Sequence, residues 1–167
     1  CSGHIKENAP LNPSTPYAAS KACGDLSLIP YYKNYNFPVV FTRATNVYGA
    51  HQQLYRIIPR TVIYIKQNKK IQLQGGGKAV KSYIHIRDVC AATLQIARNG
   101  KNGDIYHISP DGEGISIVDL VSLICGKMGR PFNDCVNMVG ERLGQDAFYL
   151  IDSDKLRKSL RWKPGIS

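Results

Sequence analysis

A chain of 167 residues has the length of one ordinary domain, and 43% hydrophobic against 20% charged residues excludes a disordered polymer. The net charge of +10 is uneven: residues 51–100 hold nine basic groups and one acid, whereas residues 101–167 hold nine of each. A basic middle third draws phosphates or nucleic acid, although a solvated basic face accounts for the charge equally well. Five cysteines without a CxxC pair argue against a disulfide framework or a zinc site and fit a reducing, cytoplasmic compartment. No run reaches the roughly 18 apolar residues of a membrane span.

Residues 1–16 carry Pro10, Pro13 and Pro16 and read as an extended loop. A helix follows from Thr15 or Pro16, with Thr15 as N-cap and Pro16 at the first position. Leu26 and Ile29 continue its apolar face until Pro30, which is expected to kink it or end its regular part early. The run FPVVFTR, residues 37–43, predicts a buried parallel strand. Residues 46–53 read as a loop and residues 56–67 as a helix.

Residues 71–73 predict a short strand ending in the triple glycine Gly75 to Gly77, and residues 82–86 a second one. A helix should run from Asp88 to about Arg98, a strand over residues 104–109, and a helix over residues 116–126. Residues 132–138 read as a strand, and the last helix is expected over residues 152–160. Strands separated by helices define an α/β layer fold. Only two strands are strongly apolar, too few for a self-sufficient covered parallel sheet. The triple glycine leads into a strand, so it is no dinucleotide fingerprint. The chain reads as the second half of a larger α/β protein.

Tyr17 and Lys21 stand four apart on the first helix and project from one face. An ammonium beside a phenol stabilises the phenolate and lets tyrosine act as acid or base. The spacing alone is common, but the small residues Ala18, Ala19, Ser20 and Ala22 would let a flat ring approach closely. Asn46 follows a strand, and ligands of open α/β sheets gather at strand carboxyl ends; its amide would equally support a turn. The histidines form no HxH or HExxH pattern and the acids no calcium loop, so no metal is expected. Nucleic-acid binding is the competing class, but KQNKK at residues 66–70 lacks an aromatic platform.

Four spaced motifs carry a resemblance: PLNPSTPYAASKA from Pro10, FTRATNVYG from Phe41, KSYIHIRDV from Lys81 and DAFYLIDSDKLRKSLRWKP from Asp146. Together the sequence resembles the extended short-chain dehydrogenase/reductase family, within it the nucleotide-sugar 4,6-dehydratases, particularly the dTDP-glucose type. The resemblance implies the C-terminal part of an NAD(P)-binding Rossmann-like protein with its small substrate-binding lobe. In that frame residues 1–50 complete the dinucleotide-binding domain and residues 51–86 are a substrate-lobe insertion. Residues 87–110 return to the sheet, and residues 111–167 form the C-terminal substrate-binding lobe.

By the same resemblance, Tyr17 is the catalytic base and Lys21 holds the nicotinamide ribose and stabilises the phenolate. Ala44 and Thr45 line the nicotinamide of NAD, and Asn46 holds the diphosphate of a nucleotide-sugar substrate. Arg56, Lys81 and Arg142 reach the phosphates, with Ile57, Gln72 and His107 completing the substrate set; each of the three cations would otherwise be a solvated charge. A homodimer is implied for the full-length protein, with neither nucleic acid nor membrane as partner. The departures are Ala50 for a proline, Lys81-Ser82 for Arg-Asp, His107 for an asparagine, and Arg142-Leu143-Gly144-Gln145-Asp146 for Arg-Pro-Gly-His-Asp. A histidine within a strand also reads as packed structure. The Thr-Asp-Glu set that separates a dehydratase from an epimerase or a decarboxylase is not in this sequence.

Overall fold

The apolar residues of the chain gather into two separate clusters, and the chain crosses between them more than once. In the computed structural model, which describes residues 4–141 and 148–166, the elements in chain order begin with α1 (Pro16–Tyr35), β1 (Phe41–Ala44), β2 (Asn46–Tyr48), α2 (Ile57–Lys66) and β3 (Ile71–Gln74). After a 3-10 turn at Gly75–Gly77 come β4 (Val80–Lys81), β5 (Tyr83–His85), α3 (Ile86–Asn99) and β6 (Ile105–Ile108). The rest are β7 (Ile115–Ser116), α4 (Ile117–Lys127), α5 (Phe132–Cys135), β8 (Val136–Val139), β9 (Phe148–Tyr149) and α6 (Asp154–Leu160).

Three strand pairs are parallel: β1 with β6, β2 with β5 and β3 with β8. A small mixed sheet sets β4 between β7, antiparallel, and β9, parallel. Ile65, Ile71, Leu73, Val121, Ile124 and Val136 form the first cluster, built on α2, β3, α4 and β8. Ile84, Ala92, Ile96, Tyr106, Ile108, Leu156 and Trp162 form the second, built on β5, α3, β6 and α6. The segment 111–167 therefore divides its packing: α4 and β8 serve the first cluster, while α6 and Trp162 serve the second.

Most elements stand where the pattern places them, and the exceptions have local causes. The helix α1 runs through Pro30 to Tyr35 and stops where Asn36 turns left-handed at φ 52. Pro30 costs the helix one internal hydrogen bond, the one its missing N–H would give the Leu26 carbonyl, and the helix continues past it for five residues. The strand expected over residues 37–43 is confined to Phe41–Ala44, because its partner β6 offers only four residues. The expected loop at 46–53 begins with β2, since Asn46 finds β5 alongside. The expected strand at 132–138 opens as a helical turn after Pro131, whose φ of −59 favours it, and becomes a strand only from Val136.

Cys23, Cys90, Cys125 and Cys135 are free thiols. Burial, helped by a hydrogen bond with Cys135, pushes Cys125 up to about 11, which suits a packing role. None of the described helices is long and apolar enough to cross a membrane.

With nothing buried, α1 depends on a few specific attachments, one of them steric. A Cβ added at Gly103 would fall 2.3 Å from Cε1 of Tyr32 on α1, and the residue also has φ +82. Gly112 has φ +96 but open space around it. Gly112→Ala should therefore cost about 1 kcal/mol of backbone strain. Gly103→Ala should exceed it by about 1–3 kcal/mol, because the ring must move. Urea unfolding of the two variants measures the difference.

Candidate active site

The helix α1 starts with a cap in which Thr15 Oγ1 accepts the Ala18 amide at 3.1 Å, with Pro16 in the first turn. Tyr17 is 68% exposed. Lys21 Nζ lies 5.9 Å from the centre of its ring, so the phenol and the ammonium share one open face. Tyr83 on β5 is the contrasting tyrosine, since burial pushes its hydroxyl up to about 12 and away from acid–base work near neutrality.

The helix is held to the sheet by an ion pair that sequence reasoning missed. Arg43 on β1 donates Nε at 3.1 Å and Nη2 at 2.7 Å to Oδ2 of Asp25 on α1. Both side chains are partly buried. The signal was present in the pattern: Asp25 follows Lys21 by four and Tyr17 by eight, which sets all three on one helix face.

Ala44, Thr45 and Asn46 form a corner at the carboxyl end of β1. The Thr45 amide donates to the Ile108 carbonyl at 3.1 Å, still following β6. One residue later, the backbone and side-chain amides of Asn46 both donate to the Ser82 carbonyl at 3.1 Å, and the chain has joined β5. Thr45 is 4% exposed, and its Oγ1 is buried without a hydrogen-bond partner among the described residues. Lys81 directly precedes Ser82, so it belongs to the same neighbourhood. It is half-buried on β4, with Nζ 5.8 Å from the Tyr149 ring centre.

The other expected site residues stand apart. Arg56 is exposed ahead of α2, its guanidinium 5.6 Å from the Tyr55 ring centre. The first turn of α2 has neither a side-chain cap nor an acid. Ile57 packs against the first cluster, and Gln72 is exposed on β3 between the buried Ile71 and Leu73. Among the described residues, no hydrogen bond or ion pair joins Arg56 or Gln72 to the Tyr17 and Asn46 groups. Buried Nε of Arg60 also lacks a partner there, a feature no sequence signal announced. Arg142 lies outside the described residues. Among those residues, no group of three or more His, Cys, Asp or Glu is placed to hold a metal.

His107 departs from the expected substrate-facing position. It is 2% exposed, and its Nδ1 lies 3.2 Å from the carbonyls of Ile5 and Asp152. Carbonyls only accept, so Nδ1 carries the proton and the ring braces the N-terminal segment against the chain ahead of α6. Its amide donates to Glu7 Oε1 at 3.1 Å. The side chain is packed structure with no open face for a nucleotide.

Residues 2–109 match the NAD dependent epimerase/dehydratase family. The dTDP-D-glucose 4,6-dehydratase of Homo sapiens is 34% identical over 170 residues, covering 96% of this chain and 48% of that protein. The dTDP-glucose 4,6-dehydratase DesIV of Streptomyces venezuelae, solved with NAD and TYD bound, superposes with a TM-score of 0.95 at 32% identity, covering 100% of this chain and 51% of that one. The dTDP-glucose 4,6-dehydratase of Bacillus anthracis, in complex with NAD, gives 0.93 at 31% identity, covering 99% of this chain and 52% of that one. The fold and the exposed tyrosine–lysine helix thus define a Rossmann-like α/β protein of the extended short-chain dehydrogenase/reductase type. The chain belongs to the NAD dependent epimerase/dehydratase family, and its similarity is to the nucleotide-sugar 4,6-dehydratases. It spans about half the length of the curated relatives it matches.

The buried histidine generates a pH dependence. Burial holds the His107 ring below its ordinary 6.5, with Glu7 opposing and Arg43 reinforcing the effect. As pH falls below the ordinary value, the unfolded chain takes up this proton and the fold does not. Stability present above about 6.5 is therefore lost as pH falls toward the lower folded value. Replacing His107→Asn, which keeps a donor for a carbonyl, should flatten this dependence. The urea midpoint should fall less in the variant than in the wild type between about pH 7.5 and 5.5.

Proposed function

We propose that this chain is the C-terminal half of an NAD-dependent nucleotide-sugar 4,6-dehydratase that converts a dTDP-glucose-type substrate to its 4-keto-6-deoxy product. The observation that carries the reading is the exposed Tyr17 with Lys21 beside it, tied through the Arg43–Asp25 pair to the strand that ends at Ala44, Thr45 and Asn46. The similarity to dTDP-glucose 4,6-dehydratases over nearly the whole chain supports it.

The residues present suit the nicotinamide end of a dinucleotide: an open phenol, an adjacent ammonium and the Thr45 hydroxyl, buried without a partner among the described residues. The pyrophosphate end falls to the upstream half, because this sequence holds no glycine-rich strand-turn-helix. Bound NAD would supply the hydride acceptor for the sugar and later return that hydride. Tyr17 Oη takes the proton of the sugar hydroxyl as that centre is oxidised, and Lys21 steadies the phenolate form that does so. Asn46, with one amide hydrogen fixed on the Ser82 carbonyl, and Lys81 bind the diphosphate. Arg56, Ile57 and Gln72 extend the substrate set from the lobe, with Arg142 as a further phosphate ligand. His107 is left out of that set by its burial. The acid and base of the elimination belong to the upstream half. A second copy covers the exposed Leu26, Tyr31 and Tyr35 of α1 in a homodimer.

Product analysis of the full-length protein with dTDP-glucose decides the reaction. A 4-keto-6-deoxy sugar is expected; a C4 epimer without keto product would make the protein an epimerase. Tyr17→Phe should lower kcat by about 10² to 10⁴ with KM nearly unchanged, because the phenol oxygen moves a proton rather than anchoring the ground state. Steady-state kinetics alongside circular dichroism checks this, and undiminished kcat in a folded variant removes Tyr17 from the chemistry.

A further inference from the structure

Lys21 has two neighbours along α1 that an ammonium can approach, and the structure records which it takes. One turn before it on α1 stands the Tyr17 ring, and one turn after it stands Asp25, the single acid of that helix. A lysine four residues ahead of an aspartate is within reach of an ion pair, yet among the described residues Lys21 makes none. Its ammonium instead lies 5.9 Å from the Tyr17 ring centre. Asp25 is taken from the other side, with Nε and Nη2 of Arg43 both converging on its Oδ2.

We infer that Arg43 is a positioning residue whose task is to occupy Asp25 and so leave the Lys21 ammonium to Tyr17. This rests on the reading of Tyr17 and Lys21 given above. The guanidinium suits the task better than an ammonium would, since Nε and Nη2 hold Oδ2 together from one planar, permanently charged group. Without Arg43, the closest cation to Asp25 along α1 is Lys21, and a lysine drawn one turn toward the helix C-terminus no longer favours a phenolate at Tyr17. The other ionisable groups on this side are His107, paired with Arg43 across β1 and β6, and Glu7, which accepts the His107 amide. Glu7 and Arg43 act on the His107 ring in opposite directions, Glu7 favouring its proton and Arg43 opposing it.

The test uses the full-length protein and the pH dependence of kcat with dTDP-glucose. In Arg43→Gln the acidic limb, where activity requires the phenolate, should move up by about one pH unit. KM for the sugar nucleotide should change by less than about threefold. Arg43→Lys keeps a cation on Asp25 and should hold the wild-type limb. The double variant R43Q/D25N removes the competitor and should restore that limb. An independent variant leaves Arg43 intact: Gly24 faces open space, and Gly24→Glu places an unclaimed carboxylate three residues from Lys21 that should raise the limb in the same direction. An unmoved limb in both R43Q and G24E overturns the inference, as does a double variant that keeps the R43Q limb. A wild-type protein that makes no 4-keto product overturns the functional reading itself, a result distinct from an active wild type whose variants do not shift.

Discussion

The ion pair between Arg43 and Asp25 ties the helix that bears Tyr17 to the strand beside it, since within this chain that helix contributes no buried residue to either core. An ordinary helix is located by its apolar stripe, and small errors in polar contacts are absorbed by packing. Within this chain the guanidinium on β1 and the fit of Tyr32 over Gly103 join α1 to the sheet, while its exposed Leu26, Tyr31 and Tyr35 are left to the second copy of the proposed homodimer. The pair is partly buried, so water screens it less than a surface salt bridge. The reacting phenol is thus referenced to the same strand that ends in the Thr45 corner, and the two halves of the site share one ruler.

That corner is a change of partners. Up to Thr45 the chain follows β6, and from Asn46 it follows β5, with Ser82 accepting two hydrogen bonds from a single residue. A strand that leaves one neighbour for another opens a crevice between them, the general setting for ligands in open α/β sheets. Thr45 sits at the divide with its hydroxyl buried and, among the described residues, unpartnered, a cost that a native site bears where a further group completes it.

Much of this was legible in the sequence, and the exceptions are instructive. Helix spacing and caps located α1 through α4 because local hydrogen-bonding rules act within a turn or two. Strand lengths were less legible: Phe37 to Val40 has the composition of a strand, but whether it is one depends on β6, sixty-odd residues away. The turn after Pro131 was hidden by apolar residues that serve helix and strand equally. His107 reads as a ligand because the resemblance sets it in the place of an asparagine, and only the carbonyls of Ile5 and Asp152 reveal what it holds. Asp25 and Arg43 were in plain view within recognised motifs, but a contact between a helix and a following strand leaves no periodicity to read.

The parallel pairing of β3 with β8 bears on how the molecule is made. Strand β3 is complete early, yet its partner arrives only after α3, β6 and α4. On a ribosome, α2 and β3 would emerge with Ile65, Ile71 and Leu73 uncovered and would stay so until Val121, Ile124 and Val136 follow. The second cluster waits longer still, for Leu156 and Trp162. Such distant closures fold slowly and leave nascent apolar surface to be sheltered. Both cores are therefore finished by the last third of the chain, and a ribosome that stops at Gly100 leaves two open cores rather than one folded half.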